Sequence, residues 1–331
     1  MNKILVTGGA GFIGSHLVRT LQKHQNQVVV FDNLSGGYLE NIPPDVEFVL
    51  GDIIDENAIN KLFNDYKFDY VYHLAAYAAE GLSHFIRNFN YRNNVIGSIN
   101  LINCAIKHQV KKFIFTSSMG VYGTNQVPFD EDMKPSPEDP YGIAKYTIEQ
   151  DLLAAKKMFG LNYTIFRPHN VYGSCQNIWD KYRNVVGIFM NQLLNDQPMT
   201  IFGDGQQIRA FSHIDDIVPA LARGIESSLN GEIINIGGEQ PITINELSIS
   251  IANIMKKDRK FVHLPTRYEV KNAFSTHKKL QKLLGIYPNV SLKEGLTEMS
   301  KWASENYKKR ISKDFFSFEQ TINLPSKWIA K

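Results

Sequence analysis

The chain has 331 residues, 43% hydrophobic and 21% charged, with a net charge of +3, ordinary values for a globular protein with one large unit and one smaller. Lysines scattered along it, KKDRK at 256–260 included, read as solvated helix ends, which argues against nucleic acid as a partner. No apolar run reaches a membrane span, no leader precedes the first strand, and Cys104 and Cys175 fit neither a disulfide framework nor a metal site, so a cytoplasmic protein without metal or membrane contact is expected.

In chain order, Lys3 to Thr7 (KILVT) reads as a buried strand. Phe12 to Gln22 reads as a helix, with Phe12, Ile13, Leu17, Val18 and Leu21 at helical spacing. Between them TGGAGFIG sets Gly8, Gly11 and Gly14 at the strand-to-helix turn. The open N–H groups and dipole of the helix favour an anion there, and glycine lets a diphosphate approach; glycines needed only for tight packing are the alternative. Gln27 to Phe31 is a second strand, ending at Asp32, where a carboxylate accepts hydrogen bonds from an adenosine ribose and repels a 2′-phosphate. No arginine lies between Thr20 and Arg87, so NAD is favoured over NADP.

Val46 to Leu50 is a third strand, followed by Gly51 and Asp52 at its carboxyl end. A polar helix near Glu56 to Tyr66, a strand at Tyr70 to Leu74, a helix around Arg92 to His108 and a strand at Lys112 to Thr116 come next. After a long loop stand a helix from Tyr141 to about Phe159 and a strand at Tyr163 to Arg167. This alternation predicts a doubly wound parallel sheet covered by helices, an α/β unit over residues 1–170. From Tyr172 the pattern loosens, with a strand at Glu232 to Ile236, a capping box Thr243-x-x-Glu246 opening a helix through Ile254, and a last helix from Leu292 to Tyr307. Residues 171–331 are expected mainly to form a smaller mixed α/β lobe over the carboxyl edge of the sheet, some segments returning to the sheet, with the substrate in the cleft.

Asp139 as N-cap and Pro140 in the first turn open the helix that carries Tyr141 and Lys145, whose spacing puts phenol and ammonium on one face. A lysine cation and a positive nicotinamide ring are expected to lower the phenol pKa, making Tyr141 a general base. Such pairs are frequent by chance on exposed helices. This one is joined by Ser117-Ser118 at the carboxyl end of the preceding strand, where a hydroxyl can reach the reacting oxygen, although serines there are also common turn formers.

TGGAGFIG, Asp32, Gly51-Asp52, HLAA at 73–76, TSSMGVYG at 116–123, PYGIAK at 140–145, RPHNVYG at 167–173 and GDGQQIRAF at 203–211 together resemble the extended short-chain dehydrogenase/reductases. The likeness is to their nucleotide-sugar epimerases and dehydratases, closest to the UDP-hexose 4-epimerases, and runs in order from Lys3 to about Leu284. It implies a Rossmann-type fold and NAD held by Gly8, Gly11, Phe12, Ile13, Gly14, Asp32, Asn33, Asp52, Ile53, Ala75 and Lys145. It implies a catalytic set of Ser118, Tyr141 and Lys145, with Ser117 supporting. A nucleotide sugar is then expected against Ser118, Tyr141, Asn170, Asn184, Arg209, Arg267, Glu269 and Ala273, without a metal, in a homodimer joined through a helix bundle. His169 stands where relatives carry an apolar residue and is expected to be packed or hydrogen-bonded.

In this family the residues after the catalytic hydroxyl separate the reactions. Met119 and Gly120 stand where similar dehydratases carry Asp then Glu, where decarboxylases tend to carry a Glu at the second position, and where 3,5-epimerases carry a Cys near the first. The minimal set that remains points to 4-epimerisation: Tyr141 takes the O4 proton as hydride leaves C4, and the 4-keto sugar turns and is reduced on its other face. Another nucleotide-sugar epimerase or oxidoreductase, such as a uronate epimerase or dehydratase, and a non-catalytic NAD-binding regulator are the alternatives. Ala273, four residues after Glu269, falls where a tyrosine in those enzymes excludes an N-acetyl group. An acetamido sugar is therefore expected to fit, unless another bulky residue closes the space.

Overall fold

The computed structural model describes residues 1–308 and 315–329. Seven strands, β1 (Lys3–Thr7), β2 (Gln27–Asp32), β3 (Glu47–Leu50), β4 (Tyr70–His73), β5 (Lys112–Thr116), β6 (Tyr163–Pro168) and β7 (Glu232–Ile236), form one parallel sheet. Their order is β7-β6-β5-β4-β1-β2-β3, so the winding reverses beside β1, between β1 and β4. In such a sheet the crevice at the carboxyl ends near the reversal is where a ligand binds.

Alternation of side chains along each strand divides the core into two layers. Ile4, Val6 and Val30 pack beneath α1 (Phe12–Lys23), α6 (Ile214–Ala222) and α8 (Lys278–Leu284). Leu5, Val29, Phe31, Phe113 and Phe115 pack against α2 (Glu56–Asp65), α3 (Gly97–Lys107) and α4 (Pro140–Phe159) on the other face. A third core joins α5 (Val185–Leu194), α7 (Ile244–Ile254) and α9 (Leu292–Asn306) through Phe189, Met190, Leu247, Ile251, Leu296 and Met299. The chain thus returns to the sheet with α6, β7 and α8 after building part of the lobe, and a single cut at residue 170 does not separate the two.

Thr243 and Glu246 form the expected capping box, and Ser291 and Glu294 form a second one opening α9. The helix expected around Arg92 begins earlier: Arg87–Tyr91 is α-helical, Arg92–Ile96 is one π-helical segment, and α3 follows. Buried Asn90 and Asn94 hold this irregular stretch, Asn90 donating to Pro140 O and Asn94 exchanging hydrogen bonds with the backbone of Tyr77. These bonds tie the loop after β4 to the start of α4. The described residues 315–329 fold back on the lobe, where Phe316, Phe318 and Trp328 pack edge-on around Tyr182.

Candidate active site

A cavity of about 460 Å³ opens at the carboxyl ends of the central strands and extends between sheet and lobe. Gly8, Gly11, Phe12, Ile13 and Gly14 line one end of it. Two of the three glycines are forced by the chain itself. Gly8 has φ +72° and a side chain there would strike Ala75 N at 2.7 Å, while one at Gly14 would meet Gly8 O at 2.1 Å. Gly11 caps α1 without any side chain, leaving the first N–H groups of the helix open to a diphosphate.

Asp32 stands at the end of β2 with its oxygens pinned by backbone N–H groups, Oδ2 by Ala10 at 3.0 Å and Oδ1 by Leu34 at 2.8 Å. Burial raises its pKa, and those two hydrogen bonds pull it back. Each oxygen keeps a lone pair for a ribose hydroxyl. Asn33, Ile53 and Ala75 also line the cavity, whereas Asp52 stands behind, accepting from Asn33 Nδ2 at 2.9 Å and from the N–H of Ile54. An acidic fork, a glycine cradle and an uncapped helix N-terminus fit the parts of NAD.

At the other side of the sheet reversal, β5 delivers Ser118 and α4 delivers Tyr141 and Lys145 to the same cavity. Asp139 fixes the start of α4 by accepting from the N–H groups of Tyr141 and Gly142. The Ser118 hydroxyl lines the cavity with the Tyr141 phenol, draws the phenol's pKa down and accepts from Gly120 N. Lys145 Nζ donates to Thr116 O at 2.8 Å and lies 5.8 Å from the centre of the Tyr141 ring. The lowering expected of the Tyr141 pKa rests on Lys145 together with the nicotinamide ring; the protein's own groups by themselves act the other way on that phenol. Burial raises its pKa first and the Glu80 carboxylate next, with the Ser118 hydroxyl opposing, and burial also lowers Lys145 itself to about 7, which weakens it as a cation.

Ser117 points away from Tyr141, donating to Glu149 in the interior. On the lobe side, Asn170 and Asn184 line the cavity with φ of +40° and +64°, their amides donating to Ala210 O and Val171 O. The Arg209 guanidinium donates to the carbonyls of Ile208, Val270 and Lys271, leaving Nε–H and one Nη2–H for a ligand. Arg267 pairs with Glu269 at 2.8 Å and lies over Phe202, and Glu269 also accepts from Gln207. Ala273 does not reach the cavity. Its side chain belongs instead to a buried cluster with Met119, Val121, Tyr122 and Phe129, which removes the basis for reading it as the sugar gate.

His169 is buried, its Nδ1 facing Ala210 O and its Nε2 facing His277, and burial lowers its pKa to about 4. Among the described residues, His213, Asp215 and Glu298 bring metal-ligating atoms together, and none of the three lines the cavity. The sequence reading passed over Glu80, Tyr182 and Arg183, all in the cavity wall. Glu80 had a signal: an acid within the small-residue run HLAAYAAEG just past a strand end.

The chain matches the model of the NAD dependent epimerase/dehydratase family over residues 4–237. It superposes on the UDP-glucose 4-epimerase of Thermotoga maritima, solved with UDP-glucose, with a TM-score of 0.88 and 38% identity over 92% of this chain and 99% of that one. It is 33% identical to the UDP-N-acetyl-alpha-D-glucosaminuronate decarboxylase of Bacillus cytotoxicus (92% of this chain, 98% of that one). It is 32% identical to the UDP-glucuronate 4-epimerase of Thermodesulfobacterium geofontis (92% and 97%). Matched by that family model over residues 4–237, more than half of its length, the chain belongs to the NAD dependent epimerase/dehydratase family and binds NAD.

Proposed function

We propose that the protein interconverts UDP-hexoses at C4, with UDP-glucose and UDP-galactose as the pair. The observation that carries this reading is the convergence of Ser118, Tyr141 and Lys145 on the NAD cavity, with Met119 and Gly120 offering no proton-moving group of their own. Bound NAD supplies the acceptor and later donor of the C4 hydride and a positive charge that favours the phenolate. Tyr141 accepts the O4 proton and returns it, while Ser118 holds the reacting oxygen. Lys145, anchored on Thr116 O, fixes the helical turn below the phenol. Arg209, Arg267 and Asn170 line the end suited to the diphosphate.

A regenerated cofactor stays in place. The purified protein is therefore expected to carry NAD and to convert UDP-galactose to UDP-glucose without added cofactor, followed by proton NMR. Turnover of UDP-glucuronate with none of UDP-galactose overturns the neutral-hexose assignment in favour of a uronate epimerase. A homodimer through α3 and α4 belongs to the same proposal, supported by exposed Ile96 just before α3 and by exposed Ile143 and Leu153 on α4. Among the described residues no helix is long and apolar enough to cross a membrane.

A further inference from the structure

Glu80 opens a short helix, Glu80–Ser83, in the loop that follows β4, and its carboxylate projects into the cavity. Among the described residues no hydrogen bond or ion pair engages it. The missing side chain of Gly120 makes room: a methyl at 120 would stand 3.1 Å from Glu80 Oε1 and 3.4 Å from Ser118 Oγ. The carboxylate and the Ser118 hydroxyl thus share one small space, and the charge of Glu80 acts on the Tyr141 phenol.

C4 inversion alone gives this group no task, because the proton taken by Tyr141 is returned by Tyr141. A ketone at C4, however, acidifies the hydrogens on C3 and C5. A carboxylate at the reacting face then has a second substrate atom within its chemistry. Asp139 and Glu269 face Glu80 with like charge and Arg209 and Arg267 with opposite charge; its side chain is exposed to the open cavity, yet loss of water among the surrounding walls first and Asp139 next raise its pKa to about 7. A group so poised takes and returns a proton at neutral pH.

We propose that Glu80 is a second proton-transfer residue of this site, removing and returning the hydrogen on C3 or C5 while the sugar is a 4-ketone. The proposal rests on the C4 reading above. The C–H electron pair moves into a C=C bond as the carbonyl becomes an enolate, its oxygen held by the Ser118 hydroxyl and the Tyr141 phenol, and the proton goes to Glu80. Reversal restores the ketone with no net oxidation.

The test incubates the NAD-loaded protein with UDP-glucose, and separately with UDP-galactose, in deuterium oxide and follows both C4 inversion and deuterium at each carbon by proton NMR. Deuterium is expected at C3 or C5. Glu80→Gln is expected to lower deuterium per C4 inversion about 100-fold. Gly120→Ala, which presses a methyl against Glu80 Oε1, should lower the same ratio, with NAD content and melting temperature checking that both variants fold. C4 inversion by the unaltered protein with C3 and C5 fully protonated overturns the role of Glu80 alone, whatever the variants do. An unchanged ratio in folded Glu80→Gln overturns it equally. No C4 inversion of either sugar overturns the epimerase reading itself, and this one with it.

Discussion

Arg167 and Glu149 form an ion pair sealed inside the molecule, with Nη2 2.6 Å from Oε2 and side chains 2% and 0% exposed. Glu149 also accepts the Ser117 hydroxyl, while Arg167 Nη1 donates to Tyr122 OH, which in turn donates to Asn235. One network therefore joins the end of β5, α4, β6, the Met119–Tyr122 turn and β7 directly behind Ser118. Removing one partner leaves the other charge buried. Arg167→Met is expected to cost about 3–5 kcal/mol of stability. Urea unfolding checks this, and a loss below about 1 kcal/mol, the range of a surface pair, would show the network to be dispensable.

Tyr141→Phe removes the proposed proton acceptor beside Ser118 but keeps the buried ring. Turnover should fall about 10²–10⁴-fold while NAD remains bound. Steady-state rates on UDP-galactose, with NAD measured in the denatured protein, decide it; near-normal turnover removes Tyr141 from the chemistry.

Lys145 gives a stability signature independent of catalysis. Burial lowers its pKa from 10.5 to about 7, with Glu149 opposing. Between those two pH values the unfolded chain holds a proton that the folded one lacks, so this group makes stability rise with pH across the window and contributes no slope below it. Lys145→Met has no such titration. Unfolding free energies measured from pH 6.5 to 9.5 should show the unaltered protein gaining on the variant as pH rises, and parallel profiles would mean that Lys145 stays charged in the fold.

Asp32 decides between the dinucleotides. Asp32→Ala removes the ribose acceptor and the charge that repels a 2′-phosphate, so calorimetry should show weaker NAD binding and a smaller preference over NADP. A protein that prefers NADP before substitution contradicts the assignment.

Ala273→Tyr tests packing in place of the gate. Its methyl is 7% exposed and touches Met119, Val121, Tyr122 and Phe129, so a phenol there overfills the cluster and should cost about 1–3 kcal/mol. Thermal melting reads this, and an unchanged melting temperature with a changed preference between UDP-hexose and UDP-N-acetylhexosamine would restore the gate.

The sheet strands and most of its helices were legible because each is a local matter: a β-branched run, a 3.6-residue apolar period, a cap. Gln27 to Phe31 and Glu232 to Ile236 announce themselves in this way, and their parallel pairing in one sheet follows from the alternation with helices. The Ser118, Tyr141 and Lys145 grouping was legible too, since strand ends and one helical turn fix its geometry. Local signals cannot report burial, though. The pKa of the Tyr141 phenol is expected to be lowered by Lys145 and the nicotinamide ring together, whereas among the protein's own groups burial by the whole fold raises it first and the Glu80 carboxylate next.

What the sequence by itself determined is the sheet, the dinucleotide end with Gly11 and Asp32, and the family. What only the tertiary structure decided lies between segments far apart in the chain. Spacing from Glu269 put Ala273 at the sugar, but the packing of Met119, Val121, Tyr122 and Phe129 around it takes it into the core. Residues 80 and 120 show nothing to each other in sequence, yet the fold sets the Glu80 carboxylate in the space that Gly120 leaves free. Register and side-chain volume across 40 residues are settled by packing, where each contact depends on all the others, and no periodicity along the chain records them.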